Sequence, residues 1–108
     1  MGQGQEQLTL QGKVHTQDYS FLVDSGASHN FVNSQFVSDN GLQCERGKKV
    51  QVRMANNDVV YTDKYVRCMV DFGTVSAYLL FTVLPSCPLV LGLSFLRAFK
   101  PAIDWENM

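Results

Sequence analysis

The strictest constraint in this chain is an alternation. Val75, Ala77, Leu79, Phe81 and Val83 put an apolar side chain at every second position. A period of two belongs to a β-strand with one face in a core, because successive side chains leave a strand on opposite sides. The pattern recurs. Val66, Cys68, Val70 and Phe72 alternate up to a turn at Gly73, and Leu8, Leu10 and Val14 mark a first strand with Gly12 in phase between them. Val50, Val52 and Met54 alternate again, and after Asn56-Asn57-Asp58 a strand resumes over Val59 to Tyr61. His15 to Asp18 reads as a turn. Tyr19 to Val23 then becomes continuously apolar, as a strand covered on both faces does. Many short strands joined by Gly, Asn and Asp turns, with Pro85 and Pro88 bracketing a loop, predict an all-β barrel or sandwich.

Two helical pieces interrupt the strands. Asn33 or Ser34 can cap a turn or two through Asn40, which Gly41 ends in the left-handed conformation. Leu93 to Phe99 sets Leu93 with Leu96, and Phe95 with Phe99, at helical spacing before Pro101 stops it.

At 108 residues there is room for one domain and one core. The net charge of −1 and the scattered cations argue against a nucleic-acid partner; the one basic run, Arg46, Lys48 and Lys49, is too short to track phosphates. No apolar run has membrane-spanning length, and no basic segment with a long apolar stretch opens the chain as a signal peptide would. Met1-Gly2 is not followed by the Ser or Thr that myristoylation wants, because Glu6 stands there. Residues 1–7, rich in Gly and Gln, read as a flexible lead-in. Cys44, Cys68 and Cys87 are far apart, odd in number and without a CxxC or a pairing histidine, so neither metal nor cofactor is expected. Free, mostly buried thiols point to a reducing compartment, the cytoplasm or the inside of an intracellular particle. Met54 and Met69, in phase with strands, read as core or cleft-edge residues.

The chemistry points to Phe21-Leu22-Val23-Asp24-Ser25-Gly26-Ala27-Ser28. An apolar strand runs straight into an acid, then a hydroxyl, then glycine. Such a strand end fixes a carboxylate in dry surroundings, where ionising costs more. Gly26 lets the backbone turn tightly, and its amide can donate to the Asp24 oxygens. Asp-Ser-Gly alone is a common loop tripeptide, so the weight rests on its context.

In that context the chain resembles the retropepsins, in particular the proteases of gypsy-type LTR retrotransposons and genes domesticated from them. Phe21 to Val32 looks like their catalytic loop, Pro88 to Leu96 like their apolar-apolar-Gly strand and following helix, and Pro101-Ala-Ile-Asp-Trp105 like their closing segment. The blocks stand in the right order and separation, with Val50 to Tyr61 in the place of the hairpin flap. The resemblance covers residues 8–105 and implies a small closed barrel with a flap hairpin and a short helix near the C-terminus. It implies that Asp24 is catalytic, that Ser25 braces two loops across a dimer axis, that Gly26 belongs to the active-site loop, and that Gly92 supports the loop from behind. Ala27 and Ser28 would line the cleft, and Met54, Ala55, Asn56, Asn57, Asp58 and Val59 would form the flap tip over the substrate. The family often has glycine at that tip; here asparagines, which tolerate positive φ, take its place.

One chain offers one such aspartate, while aspartic proteolysis needs two. The resemblance therefore implies a homodimer that brings Asp24 and its symmetry mate together around a water, with an extended polypeptide as substrate and apolar residues beside the cut bond. Other acids fit less well. Asp71-Phe72-Gly73 lacks the hydroxyl and sits between alternating strands, as a hairpin turn does, and no glycine turn follows Asp104. His29 has no serine or cysteine nucleophile beside it and reads as a loop residue; His15 reads as a hairpin residue. Two rival readings remain: a domesticated domain that dimerises without cleaving, serving as an interaction module, and an unrelated small β-barrel binding domain.

Overall fold

The structure is a computed structural model that describes residues 8–53 and 57–99. Its strands are β1 (Thr9–Val14), β2 (Gln17–Val23), β3 (Phe31–Asn33), β4 (Glu45–Arg53), β5 (Val59–Asp71), β6 (Ser76–Leu84) and β7 (Val90–Leu91), with helices α1 (Ser34–Asp39) and α2 (Leu93–Phe99). The sheet runs β1-β2-β7-β3-β6-β5-β4, and a further pairing of β1 with β5 at Lys13 and Asp71 joins its first strand to its next-to-last. Six strands thus form a closed ring, and β4 hangs outside it as the free arm of a hairpin with β5. Closure protects the edges of the six ring strands and leaves β4 as the strand with a free edge.

The alternation becomes burial. Along β6, Ala77, Leu79, Phe81 and Val83 are buried, and along β5 Val66, Cys68 and Val70 join them. Phe21, Phe36, Phe81 and Phe95 are almost fully enclosed, each contributing roughly 1.5–3 kcal/mol on burial. Phe21 stacks on Phe81 with centroids 6.1 Å apart. Gly12 is in phase with Leu10 and Val14 because β1 passes close over this core: a Cβ there would lie 2.6 Å from Val70 Cγ1 and 3.0 Å from the Phe21 ring.

Local chemistry sets the ends of the elements. Asn33 caps α1, its side-chain oxygen accepting from the Phe36 amide at 2.8 Å, and its Nδ2 donates to the Cys87 carbonyl. Gly41 follows with φ 59°. The β1–β2 turn is tighter than the sequence suggests. Val14 pairs with Gln17, so Gln17 and Asp18 are already strand and His15, at φ 56°, starts the two-residue turn. The Asp71-Phe72-Gly73 turn is as expected: Gly73, at φ 92°, donates its amide to Asp71 Oδ1, and Phe72 N–H bonds to the Val75 carbonyl.

The flap region is a long hairpin. Its pairing runs from Glu45 with Tyr65 to Arg53 with Val59, broken by an irregularity between Arg46 and Val50. There Tyr65 lies against Gly47, where a Cβ would meet the ring at 2.9 Å, and its hydroxyl donates to the Lys48 carbonyl. Ion pairs Arg46–Asp63 and Arg67–Glu45 flank this point, at 3.2 and 3.0 Å; exposed as they are, each is worth about 0–1 kcal/mol. The tip begins to close at Asn57, with φ 72°. Met54, Ala55 and Asn56 fall outside the described residues, as do the lead-in 1–7 and the Pro101 to Trp105 segment.

Two expectations need correction. Met69 is 54 % exposed, because β5 turns Cys68 and Val70 inward and Met69 to the outer face. Cys44 is exposed too, lying in the loop between α1 and β4 where no layer covers it. Only Cys68 is buried, and burial pushes its thiol up to about 11; half-buried Cys87 is pushed equally far. Because the thiolate is the reactive form, Cys44 should alkylate first in the native protein, with Cys87 much slower and Cys68 reacting only on unfolding. Peptide mapping after a timed iodoacetamide pulse at pH 8 checks this order.

Candidate active site

The site begins with the parallel pairing of β2 and β7, Leu22 with Val90 and Val23 with Leu91. The ladder continues into the loop: Asp24 N–H bonds to the Leu91 carbonyl at 3.0 Å, so the backbone of the acid is held by the sheet. The chain then turns on itself. Gly26 N–H donates to Asp24 Oδ1 at 2.9 Å, and Ala27 N–H to the Asp24 carbonyl at 3.1 Å. A Cβ on residue 26 would stand 3.1 Å from that same carboxylate oxygen.

Gly92 closes the back of the loop. A Cβ on it would lie 2.3 Å from the His29 carbonyl oxygen and 2.6 Å from that of Ala27, contacts no real side chain tolerates. This proximity lets Leu93 N–H, at the start of α2, reach the Ala27 carbonyl at 2.7 Å. The Gly92 amide donates to Asn30 Oδ1 at 2.9 Å, and Asn30 Nδ2 donates to the Leu80 carbonyl at 3.2 Å. The Asn30 carbonyl accepts from Thr82 N–H at 2.8 Å. Asn30 is buried, with one side-chain amide tying the loop to β6 and β7. The sequence reading did not single it out; the signal was an amide immediately before the apolar Phe31-Val32, where the loop re-enters the core.

Above the loop opens a cleft of about 490 Å³. Asp24, Gly26, Ala27, Ser28 and His29 form its floor, and Gln51, Val52 and Arg53 of β4 form one side. Phe31, Leu84, Cys87, Pro88 and Val90 supply an apolar wall. The predicted residues Asp24, Gly26, Ala27 and Ser28 are therefore brought together, with Gly92 behind them. Ser25 is exposed beside Asp24 and outside this lining. Asn57, Asp58 and Val59 lie at the hairpin tip, also outside the lining of a single chain; the arm residues before the tip line it instead. Those arm residues were legible as the continuation of the Val50–Val52 strand. The dry setting expected for Asp24 is not present in one chain, where its carboxylate is exposed, because the loop turns outward immediately after Val23. Among the described residues no three His, Cys, Asp or Glu side chains gather as metal ligands, and no helix is long and apolar enough to cross a membrane.

Comparison with known proteins agrees with this geometry. The family model of the PEG10/RTL1 protease domain matches residues 20–108. Among solved structures, the fold is similar to EIAV protease complexed with the inhibitor HBY-793, with a TM-score of 0.66 at 15 % identity, covering 88 % of this chain and 89 % of that one.

The buried amide makes a clear stability test. Asn30→Ala orphans the Gly92 amide and the Leu80 carbonyl, so it should cost roughly 2–4 kcal/mol and lower Tm by about 10 °C or more. Asn33→Ala, which removes the α1 cap and the bond to the Cys87 carbonyl at a half-buried position, should cost less, about 1–2 kcal/mol. Thermal denaturation of both variants checks the difference, and a shift for Asn30→Ala no larger than for Asn33→Ala would contradict the role given to Asn30.

Proposed function

Because the chain belongs to the PEG10/RTL1 protease domain family, retrotransposon-derived and retropepsin-like in fold, we propose that it is an aspartic endopeptidase acting as a symmetric homodimer. The observation that carries this reading is the state of Asp24: its backbone is pinned by β7, one carboxylate oxygen is held by Gly26 N–H, and it is open to solvent at the floor of the cleft. A carboxylate so fixed and so exposed is positioned to meet a second one. The two-fold operation supplies it, with Ser25 beside each Asp24 to brace the loops across the axis.

In the dimer the paired carboxylates hold one proton between them, since two like charges in contact cannot both ionise easily. The ionised one takes a proton from a water as it attacks the scissile carbonyl; the protonated one donates to the carbonyl oxygen and supports the charge growing there. The described residues supply this without a covalent intermediate. The substrate is a polypeptide lying extended along the floor, with the apolar wall taking side chains beside the cut bond and the hairpin tip closing from above to exclude bulk water. Ala27 and Ser28 contact its backbone, and residues 54–59 cover it. The free thiols fit a reducing compartment. A chain that dimerises and binds peptides without cutting them would be an interaction module instead, and the same variants decide between the two.

Asp24→Asn preserves shape but removes the base, so cleavage of a mixed peptide library should fall by roughly 10²–10⁴-fold or more with the fold intact; unchanged turnover would refute the assignment. Activity per chain should also fall on dilution as dimers dissociate. A ninefold excess of Asp24→Asn chains, after subunit exchange, should leave about a tenth of the activity per wild-type chain. Constant specific activity through both treatments would exclude the homodimeric mechanism. The rate should trace a bell against pH, its limbs belonging to the pair and not to either residue; a rate still climbing at alkaline pH would point to another chemistry.

A further inference from the structure

We propose that the cleft selects peptides carrying a Glu or Asp side chain a few residues from the scissile bond, held by His29 and Arg53. The inference rests on the aspartic-protease reading and names the substrate class of that same site.

The charges in the cleft are unequal. Among the described lining residues the only carboxylate is Asp24, which the chemistry occupies, while His29 and Arg53 are basic. Cys87, its thiol pushed up to about 11 by burial, stays neutral. Arg53 differs from its neighbours on the same hairpin. Arg46 and Arg67 are paired with Asp63 and Glu45, whereas Arg53, exposed at the last paired position of β4, makes no ion pair among the described residues. An unpaired guanidinium at the side of a peptide-sized groove presents a fork of donors that matches a carboxylate in two contacts.

His29 is the second half of the device. Its Nδ1 is 3.0 Å from Ser28 Oγ, and its ring meets the edge of Phe31 with centroids 6.2 Å apart, so the imidazole is held in place. In the tautomer in which the serine hydroxyl donates to Nδ1, Nε2 carries the proton, and it has no partner among the described residues. In that tautomer it is a donor at the cleft floor, open to an acceptor. The apolar wall of Leu84, Pro88 and Val90 serves the side chains at the bond itself, which leaves the acidic side chain to lie farther out. The two-fold operation repeats both groups, so the preference holds on each side of the bond. A lysine in the same place meets like charge and is rejected.

The test separates recognition from cleavage by measuring binding to the full Asp24→Asn chain. Fluorescein-labelled peptides with an apolar centre carry Glu, Gln or Lys at each position two to four residues out, and anisotropy is read at low and high salt. At one or more positions the Glu peptide should bind about tenfold tighter than the Gln peptide, and Lys weakest, with the gap narrowing in salt. Arg53→Gln and His29→Gln should each shrink that gap, and Arg53→Glu should turn the preference toward Lys. Equal binding of Glu and Gln peptides at every position overturns the proposal. So does a Glu preference that both Gln variants retain, or no binding of any peptide at millimolar concentration with the dimer confirmed. Cleavage of the Gln peptides by the wild-type chain reports on the protease reading alone: selective binding without any cleavage would sink the enzyme and leave the acidic preference standing.

Discussion

Gly92 and the chain behind Asp24 approach so closely that their backbones occupy space a single methyl group would need. Side-chain-free contact there is what permits the rest: α2 can start under the loop, its first amide reaching the Ala27 carbonyl at 2.7 Å, and the Gly92 amide can reach Asn30. Asn30 in turn spans to the Leu80 carbonyl. The loop that carries the carboxylate is thereby bonded to two strands, β6 and β7, and to a helix, although much of it lies exposed. A loop in solvent is ordinarily mobile; this one is fixed from beneath, which is the condition for holding a catalytic group within a fraction of an ångström.

A comparison within the molecule shows how little the local turn contributes by itself. Asp71 accepts from the amide of Gly73 at 2.8 Å, much as Asp24 accepts from that of Gly26 at 2.9 Å. Both are acids bonding to a glycine two residues on. Yet Asp71 ends β5 at a hairpin, paired across to Lys13 where the barrel closes, and lies outside the cleft. What distinguishes Asp24 is placement: a parallel strand pair beneath it, a glycine behind it and an apolar wall beside it. The tripeptide is shared chemistry; the cleft is made by segments far apart in sequence.

The same distinction explains what could be read in advance. Period-two patterning located β6 and the C-terminal half of β5, since their inward faces are apolar; at the start of β5, Val59 and Tyr61 face outward. It missed the continuity of β5 through Thr62 to Lys64, because this stretch is polar; Thr62 is buried all the same, its hydroxyl donating to the Val83 carbonyl. It did not mark β3, whose three residues follow a loop and pair in parallel with β6, a partner fifty residues away. Short parallel pairings leave almost no local pattern. The site divides likewise. Asp24 and Gly26 are legible as a motif, and Gly92 through family resemblance, whereas Asn30 acts through partners at residues 80 and 92 that no local window contains. Met69 was misread against the chain's own alternation, since Cys68 and Val70 on either side take the inward face, and Cys44 because hydrophobicity alone does not say which loop goes uncovered.

The exposure of Asp24 has a consequence for how chemistry is controlled in the proposed mechanism. A carboxylate buried within one chain would face the full cost of desolvation on folding, unmatched until a substrate arrived. Left at the surface, it avoids this cost in the free chain, and desolvation comes only when a second copy covers it. Folding is then independent of the dyad, since the barrel closes through Lys13 and Asp71 and the loop is fixed by Asn30 and Gly92 within one chain. On that mechanism association carries the electrostatic burden instead, lightened where the two acids share one proton. On the proposed homodimeric mechanism, the architecture separates a protomer fixed within one chain from the active assembly, and local concentration of the chain would set when peptide bonds are cut.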